Sequence, residues 1–557
     1  MPAVKLNYPV SLDYPMTWIR LLLLAFLFAG VVRAEQVEQP GSKPEHVGKG
    51  AHFQASDRCI ACHNGVTTAG GQDISIAGSW RATMMANSAR DPYWQAGVRR
   101  ETIDHPMAKA AIENECSTCH MPMDHYESKL KGQMSEVFSH LPLNLSRPED
   151  RLAADGVSCS LCHQITSEKL GTKESLVGKF VVDETHAEGD RTVFGPFDID
   201  AGRASVMRSS SGFRPTKGDH IRQSELCATC HTLYTQALGP KGEVIGELPE
   251  QVPYQEWLHS EYRGKQSCAS CHMPVVAGEA PITGVLSKEH AGVSQHVFVG
   301  GNFLMQRILN RYRNDLGVVA LPEELDAAAN RTVEHLQLEA ARVSISGAEV
   351  RDGRLLAEVV VQNLGGHKLP TAYPSRRVWL HVTVKDSNGG VVFESGALTP
   401  EGAIRGNDND EDARKYEPHY KEITSSGQVQ IYESIMVDTS GVVTTGLLSA
   451  VRFAKDNRLL PRGFDKATAD AEVAVHGDAS DDNDFAGGED RVRYSVAMGK
   501  AQGPLTIDAE LWYQPISYRW ASNLRPYEAM ETQRFTRYYD SMAASSAVML
   551  GKASLTH

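Results

Sequence analysis

The sequence predicts a multidomain α+β protein, with a mainly helical and irregular N-terminal region followed by an antiparallel β-sandwich. Three observations carry this. All ten cysteines lie before residue 273. Between residues 35 and 320 the clearest periodic stretches, "HPMAKAAIENEC" and "GGNFLMQRILNRYRNDLG", have helical spacing. Beyond residue 340 the period changes, and "RLLAEVVVQNL", "RRVWLHVTVKDSNGGVVFESG" and "GPLTIDAELWYQP" are rich in β-branched and aromatic residues.

Taken in order, residues 1–34 read as a signal peptide. Arg20 precedes a run of about a dozen apolar residues, too short to span a bilayer comfortably and suited to a leader core. Val32 and Ala34 are small residues where a signal peptidase reads, which places cleavage before Glu35. The expectation is an exported protein, periplasmic or at the cell surface, whose mature chain has no integral membrane span. Residues 35–320 form the cysteine-bearing domain. Residues 321–340 look like a connecting helix with Pro322 in its first turn. Residues 341–557 form the β-sandwich domain with acidic loops, and Asn388-Gly389 between two strand-like runs signals a hairpin.

The cysteines occur only as "CIACH" at 59, "CSTCH" at 116, "CSLCH" at 159, "CATCH" at 227 and "CASCH" at 268. Zinc could use such pairs two by two, but gives no reason for a histidine behind every second cysteine. A redox dithiol is expected once, after a strand. Covalent haem c explains each position: two thiols form thioethers to the porphyrin, and the histidine lies under the iron. Five haems are therefore expected on Cys59 and Cys62, Cys116 and Cys119, Cys159 and Cys162, Cys227 and Cys230, and Cys268 and Cys271. Their proximal ligands are His63, His120, His163, His231 and His272. No cysteine is left for a disulfide.

The sixth position at each iron decides function, because a second histidine saturates it, methionine raises its potential and a vacancy permits chemistry. His220, seven residues before Cys227, and His296, beside a glycine pair, are the leading distal candidates. His105, His125, His140 and His259 follow, and Met84 or Met85 could serve the first haem. His367 in "NLGGHKLPTAYPS" either caps a loop or projects from the β-domain as a distal ligand. For each of these the competing reading is a histidine that only makes hydrogen bonds, or a methionine that only packs. Tyr93, Trp94, Tyr254 and Trp257 suit the walls of flat cofactors.

"DGVSCSLCHQI", "SELCATCHTLYT", "PYQEWLHSEY" before "CASCHMP", "QHVFVGGNF" and "NLGGHKLPTAYPSRRVWL" together resemble an exported multihaem cytochrome c family with a β-rich C-terminal domain. The haem part is more distantly similar to the cytochrome c-554 and hydroxylamine oxidoreductase group. The resemblance implies bis-histidine haems in close contact and electron transfer, with no particular substrate. A formal net charge of −13 argues against a nucleic-acid partner and favours redox partner proteins, basic ones among them. The alternative is an oxidoreductase acting on a small nitrogen or sulfur compound at one open iron; the Cys-x-x-Cys-Lys signature of one version is absent.

Two acidic loops remain. "GNDNDEDARKYEPHY" offers Asp408, Asp410 and Asp412, and "GDASDDNDFAGGED" offers Asp478, Asp482 and Glu489. Neither is an EF-hand, since Ala413 and Asn483 stand where the turn needs glycine. They read as solvated loops or as irregular Ca²⁺ sites.

Overall fold

The computed structural model describes residues 51–557, so the leader and its cleavage point lie outside the described residues. The described residues form one unit. In its first part the helices α1 (Pro92–Asp104), α2 (Lys109–His120) and α3 (Pro122–Leu130) follow one another closely. Asp91 caps α1 by accepting from the N–H groups of Tyr93 and Trp94, and Pro92 supplies a first-turn residue that needs no hydrogen-bond acceptor. A hairpin of β1 (Leu233–Leu238) and β2 (Val244–Gln251) leads to the short helix α4 (Pro253–Leu258).

The two stretches with helical spacing are helices. α5 (Phe303–Arg311) buries Phe303, Leu304, Met305, Ile308 and Leu309 completely and packs on α6 (Pro322–His335). Pro322 starts α6, and Glu324 reaches back to accept from the Leu321 N–H at 2.9 Å. A wider turn at Leu336–Ala340 ends it and feeds the chain directly into β3 (Ala341–Arg351).

The two larger sheets beyond residue 340 also contain β4 (Arg354–Asn363), β5 (Arg377–Lys385), β6 (Val391–Ser395), β7 (Glu489–Ala497), β8 (Thr506–Gln514) and β9 (Val548–Thr556). One sheet has the order β6-β5-β8-β9, with Ile431–Tyr432 also pairing β5. The other runs Glu422–Ile423, β7, β4, β3. Alternate residues of β4 (Leu355, Ala357, Val359, Val361), β5 (Val378, Leu380, Val382, Val384) and β8 (Ile507, Ala509, Leu511, Tyr513) enter a single apolar core that also takes in α5 and α6. Asn388-Gly389 turns the β5–β6 hairpin, with Gly389 at φ +77.

The expectation of an antiparallel architecture needs correction at one edge: Glu422–Ile423 pairs with β7 in parallel. This two-residue strand ends a long loop and is too short to show a period in sequence. Helix α7 (Met530–Asp540) intervenes and packs on α1, where Arg99 grips Glu531 at 2.8 and 2.9 Å, and β9 then closes the sheet.

Candidate cofactor cavity

Each Cys-x-x-Cys-His motif sits at a helical turn. The N–H groups of His63, His163 and His231 donate to the carbonyl of the first cysteine at 3.0, 3.0 and 2.9 Å. That turn places both thiols on one side and sends the imidazole beyond them. All five histidines and nine of the cysteines line one connected cavity of about 2130 Å³. This is at least twice the ~300–1,000 Å³ of an ordinary small-molecule site. Its walls include Tyr93, Trp94, Tyr254 and Trp257.

Four proximal rings are fixed by the same device. Nδ1 donates to a main-chain carbonyl: His63 to Ile282 at 2.7 Å, His120 to Ser88 at 3.1 Å, His163 to Phe194 at 2.5 Å and His272 to Val299 at 2.6 Å. The proton thus sits on Nδ1, and the Nε2 lone pair is left for a metal. Burial, with the neighbouring imidazoles, lowers His272 to about 4, and burial lowers His120 to about 4, His163 and His231. All four are therefore neutral at pH 7, the form that ligates. Trp94 stacks on His120 at 4.4 Å and 4°.

Opposite these rings stand partners. His163 and His296 have centroids 6.3 Å apart with planes 19° apart, and His272 and His367 are at 6.1 Å and 6°. These distances are too long for face contact. Two imidazoles sharing one metal ion at ~2.0–2.1 Å per metal–nitrogen bond, the length usual for zinc, each with its centroid roughly 1.1 Å behind the nitrogen, stand ~6.2–6.4 Å apart. His335, at the end of α6, also faces His272 at 6.1 Å but at 58°. It was not among the candidates read from sequence. Among the described residues the cavity-lining histidines outside the motifs are His125, His296, His335 and His367, and Met84 and Met85 line it too. Burial, with His163 nearby, lowers His296 to about 4.

Other candidates lie elsewhere. His220 is 7% exposed but does not line the cavity, and its Nε2 is held by the Ile165 carbonyl at 2.9 Å. His105 turns to Ser449 at 3.3 Å, His140 lies between Asp150 (3.0 Å) and Asp124 (3.3 Å), and His259 is held by Gln255 O and Asp470. None of these lines the cavity. His125 does, with Ser117 at 3.0 Å on Nδ1 and Thr118 at 3.4 Å on Nε2.

The motifs also meet each other. The Cys59 thiol is within hydrogen-bonding reach of Cys159, Cys119 of Cys230, and Cys227 of Cys268. His63 influences His163, and His231 influences both His120 and His272. The first motif therefore adjoins the third, while the fourth adjoins both the second and the fifth. Cys162 is raised to about 12 by burial and then by Cys230, which joins the third motif to the fourth.

Four of the six loop carboxylates are engaged within the chain. Asp410 is paired with buried Arg377 at 2.9 Å and Asp412 with Arg414 at 3.0 Å, while Glu489 is held by Arg491 at 2.9 Å. Asp482 lies in a buried group with His419 and Asp490 whose ligand-type atoms fall within 4.8 Å. His419 Nδ1 accepts from Gln430 at 2.9 Å and Asn457 at 3.1 Å, and those amides are oriented by accepting from the Tyr420 and Glu433 N–H groups. Its proton is thereby put on Nε2, which donates to Asp482 at 3.1 Å, so no lone pair faces the group.

The donor set of the cavity does fit haem c: paired thiols at helical turns, neutral imidazoles with oriented lone pairs, and second imidazoles at the spacing of a shared metal. No protein-family model and no curated protein matches the sequence. Among solved structures, a penta-heme cytochrome c552 from Thermochromatium tepidum is similar, at 16% identity and a TM-score of 0.52, over 91% of this chain and 100% of that one. The chain thus has a multihaem cytochrome-like fold. Among the described residues no helix is long and apolar enough to cross a membrane.

Proposed function

We propose that the chain is an exported multihaem c-type cytochrome that transfers electrons between redox partner proteins through five covalently bound haems, in the periplasm or at the cell surface. The observation that carries this is the set of five Cys-x-x-Cys-His motifs converging on one cavity with imidazoles facing imidazoles across it. Residues 35–320 are the haem domain, 321–340 the connecting helix and 341–557 a β-sandwich domain. Bound haem supplies one-electron redox chemistry, and the chain fixes its attachment, axial ligands and exclusion of water. The adjoining motifs order the attachment sites as first, third, fourth, with the second and fifth both branching from the fourth. His231 and its cysteines therefore stand at the junction of the route.

A second reading is favoured by one count. Among the described residues four non-motif histidines line the cavity, against five proximal ones. Because His335 and His367 both face His272, at least one iron is then left to Met84 or Met85, or open for a small nitrogen or sulfur compound. Electron paramagnetic resonance of the oxidised protein separates the readings. Five low-spin haems support the pure relay, and one stoichiometric high-spin centre supports the oxidoreductase. The haem count is read independently by intact mass and haem staining after denaturing electrophoresis. The expected gain is five haems per chain, and a smaller gain after full maturation would refute the count.

A further inference from the structure

His367 lies on a loop of the β-region, and its ring has to reach His272 on the other side of the cavity. A histidine on a free loop would not hold 6.1 Å and near-parallel planes. Its main chain is fastened on both sides. Before it, Asn363, fully buried, donates from Nδ2 to the His367 carbonyl at 2.8 Å and the Leu459 carbonyl at 3.0 Å, and its Oδ1 accepts from the Gly365 N–H at 2.8 Å. After it, the Lys368 N–H donates to Glu256 Oε2 at 3.0 Å, and the Thr371 hydroxyl donates to the same oxygen at 2.6 Å. Glu256 is 0% exposed and belongs to α4. Its other oxygen meets Arg458 at 2.8 Å, and Arg458 is in turn held by Asp456. Gly366 lets this loop press on α4: a Cβ there would lie 3.3 Å from Trp257.

We propose that Glu256 is a positioning residue that sets the reach of His367 to the iron carried by His272, so that α4 and the β-region act as one clamp on the fifth haem. This rests on the reading of His367 and His272 as a ligand pair. A carboxylate suits the task because it accepts two hydrogen bonds on one oxygen while the other meets the buried guanidinium. The amide of glutamine keeps one acceptor oxygen and turns an NH₂ toward Arg458, so the clamp loosens without a change of size.

The test uses the full-length holoprotein, with spin state read by electron paramagnetic resonance and midpoint potentials by redox titration. His367→Ala should turn one haem fully high-spin. Glu256→Gln should cause a partial loss of low-spin signal at that haem and shift its potential upward, and added free imidazole should restore the low-spin signal. Thr371→Val removes one hydrogen bond and no charge, and should act in the same direction to a smaller extent. Folded Glu256→Gln protein with unchanged spin states and potentials would overturn the proposal while leaving the ligand pair standing. If that variant does not fold, Thr371→Val decides: an unchanged spectrum and potential overturn it. Five unchanged low-spin haems in His367→Ala overturn the ligand pair and the proposal together.

Discussion

On the proposed reading, His296→Ala is expected to convert one haem from low spin to high spin with its covalent attachment intact, whereas His220→Ala changes no haem. The two histidines were read alike from sequence, and the structure separates them. His296 lines the cavity, faces His163 at 6.3 Å and is held neutral by burial, so an iron held by His163 would find its second imidazole there. Removing it leaves a five-coordinate iron that exogenous imidazole should fill, and its potential should rise with loss of the second strong donor. His220 instead has Nε2 on the Ile165 carbonyl and packs edge-on against Phe194 at 4.8 Å. Its loss removes one buried hydrogen bond, worth about 1 kcal/mol, and leaves the iron ligands in place. A high-spin signal in His220→Ala, or its absence in His296→Ala, would reverse this assignment.

The proposed attachment motifs stand out in sequence because their chemistry is local: two thiols and an imidazole within five residues need one helical turn, whatever surrounds them. The opposite half is tertiary. His105 and His220 attract notice because they precede cysteine motifs, but nearness along the chain places a side chain beside the proximal turn and not across the porphyrin from it. His335 was missed, though α6 did carry a signal. Leu325, Ala328 and Thr332 are its buried stripe, and the same spacing brings His335 onto that face. His367 stands out through its glycines, while the anchors of its carbonyl and of the Lys368 amide, Asn363 in a strand and Glu256 in a helix more than a hundred residues earlier, have no local signature. The long alternating strands were legible for the same reason as the motifs, since a period of two is local. Glu422–Ile423 and the strand after α7 depend on what they pair with.

Asp456→Ala should be among the most damaging single changes in the β-region, lowering stability by about 3–5 kcal/mol at pH 7. Asp456 is 2% exposed; it receives Lys368 Nζ at 2.7 Å and Arg458 Nε and a terminal guanidinium nitrogen at 2.8 Å each. Alanine leaves Lys368, at 0% exposure, with only the Ala474 carbonyl for its ammonium, and leaves Arg458 to Glu256 alone. The pH dependence follows from the sign of the shift. Burial alone would raise the Asp456 carboxyl, but Arg458 and Lys368 outweigh it and hold the group well below the usual carboxylate range. A carboxyl depressed in the folded state adds stability that is complete above its unfolded value of ~3.9 and is lost as pH falls toward the folded value. The gap between wild type and variant should therefore be full at pH 7 and narrow below about pH 4. Toward alkaline pH the variant should recover in part. Burial already lowers Lys368 in the wild type, and without Asp456 the amine would shed its proton more readily, so the variant gains stability as pH rises toward the unfolded lysine value of ~10.4. Denaturant midpoints at pH 3, 7 and 9.5 measure all three regimes. A loss at pH 7 of less than about 1 kcal/mol would show that Lys368 and Arg458 find other partners, and that the buried charges are not what ties the His367 loop to the β-region.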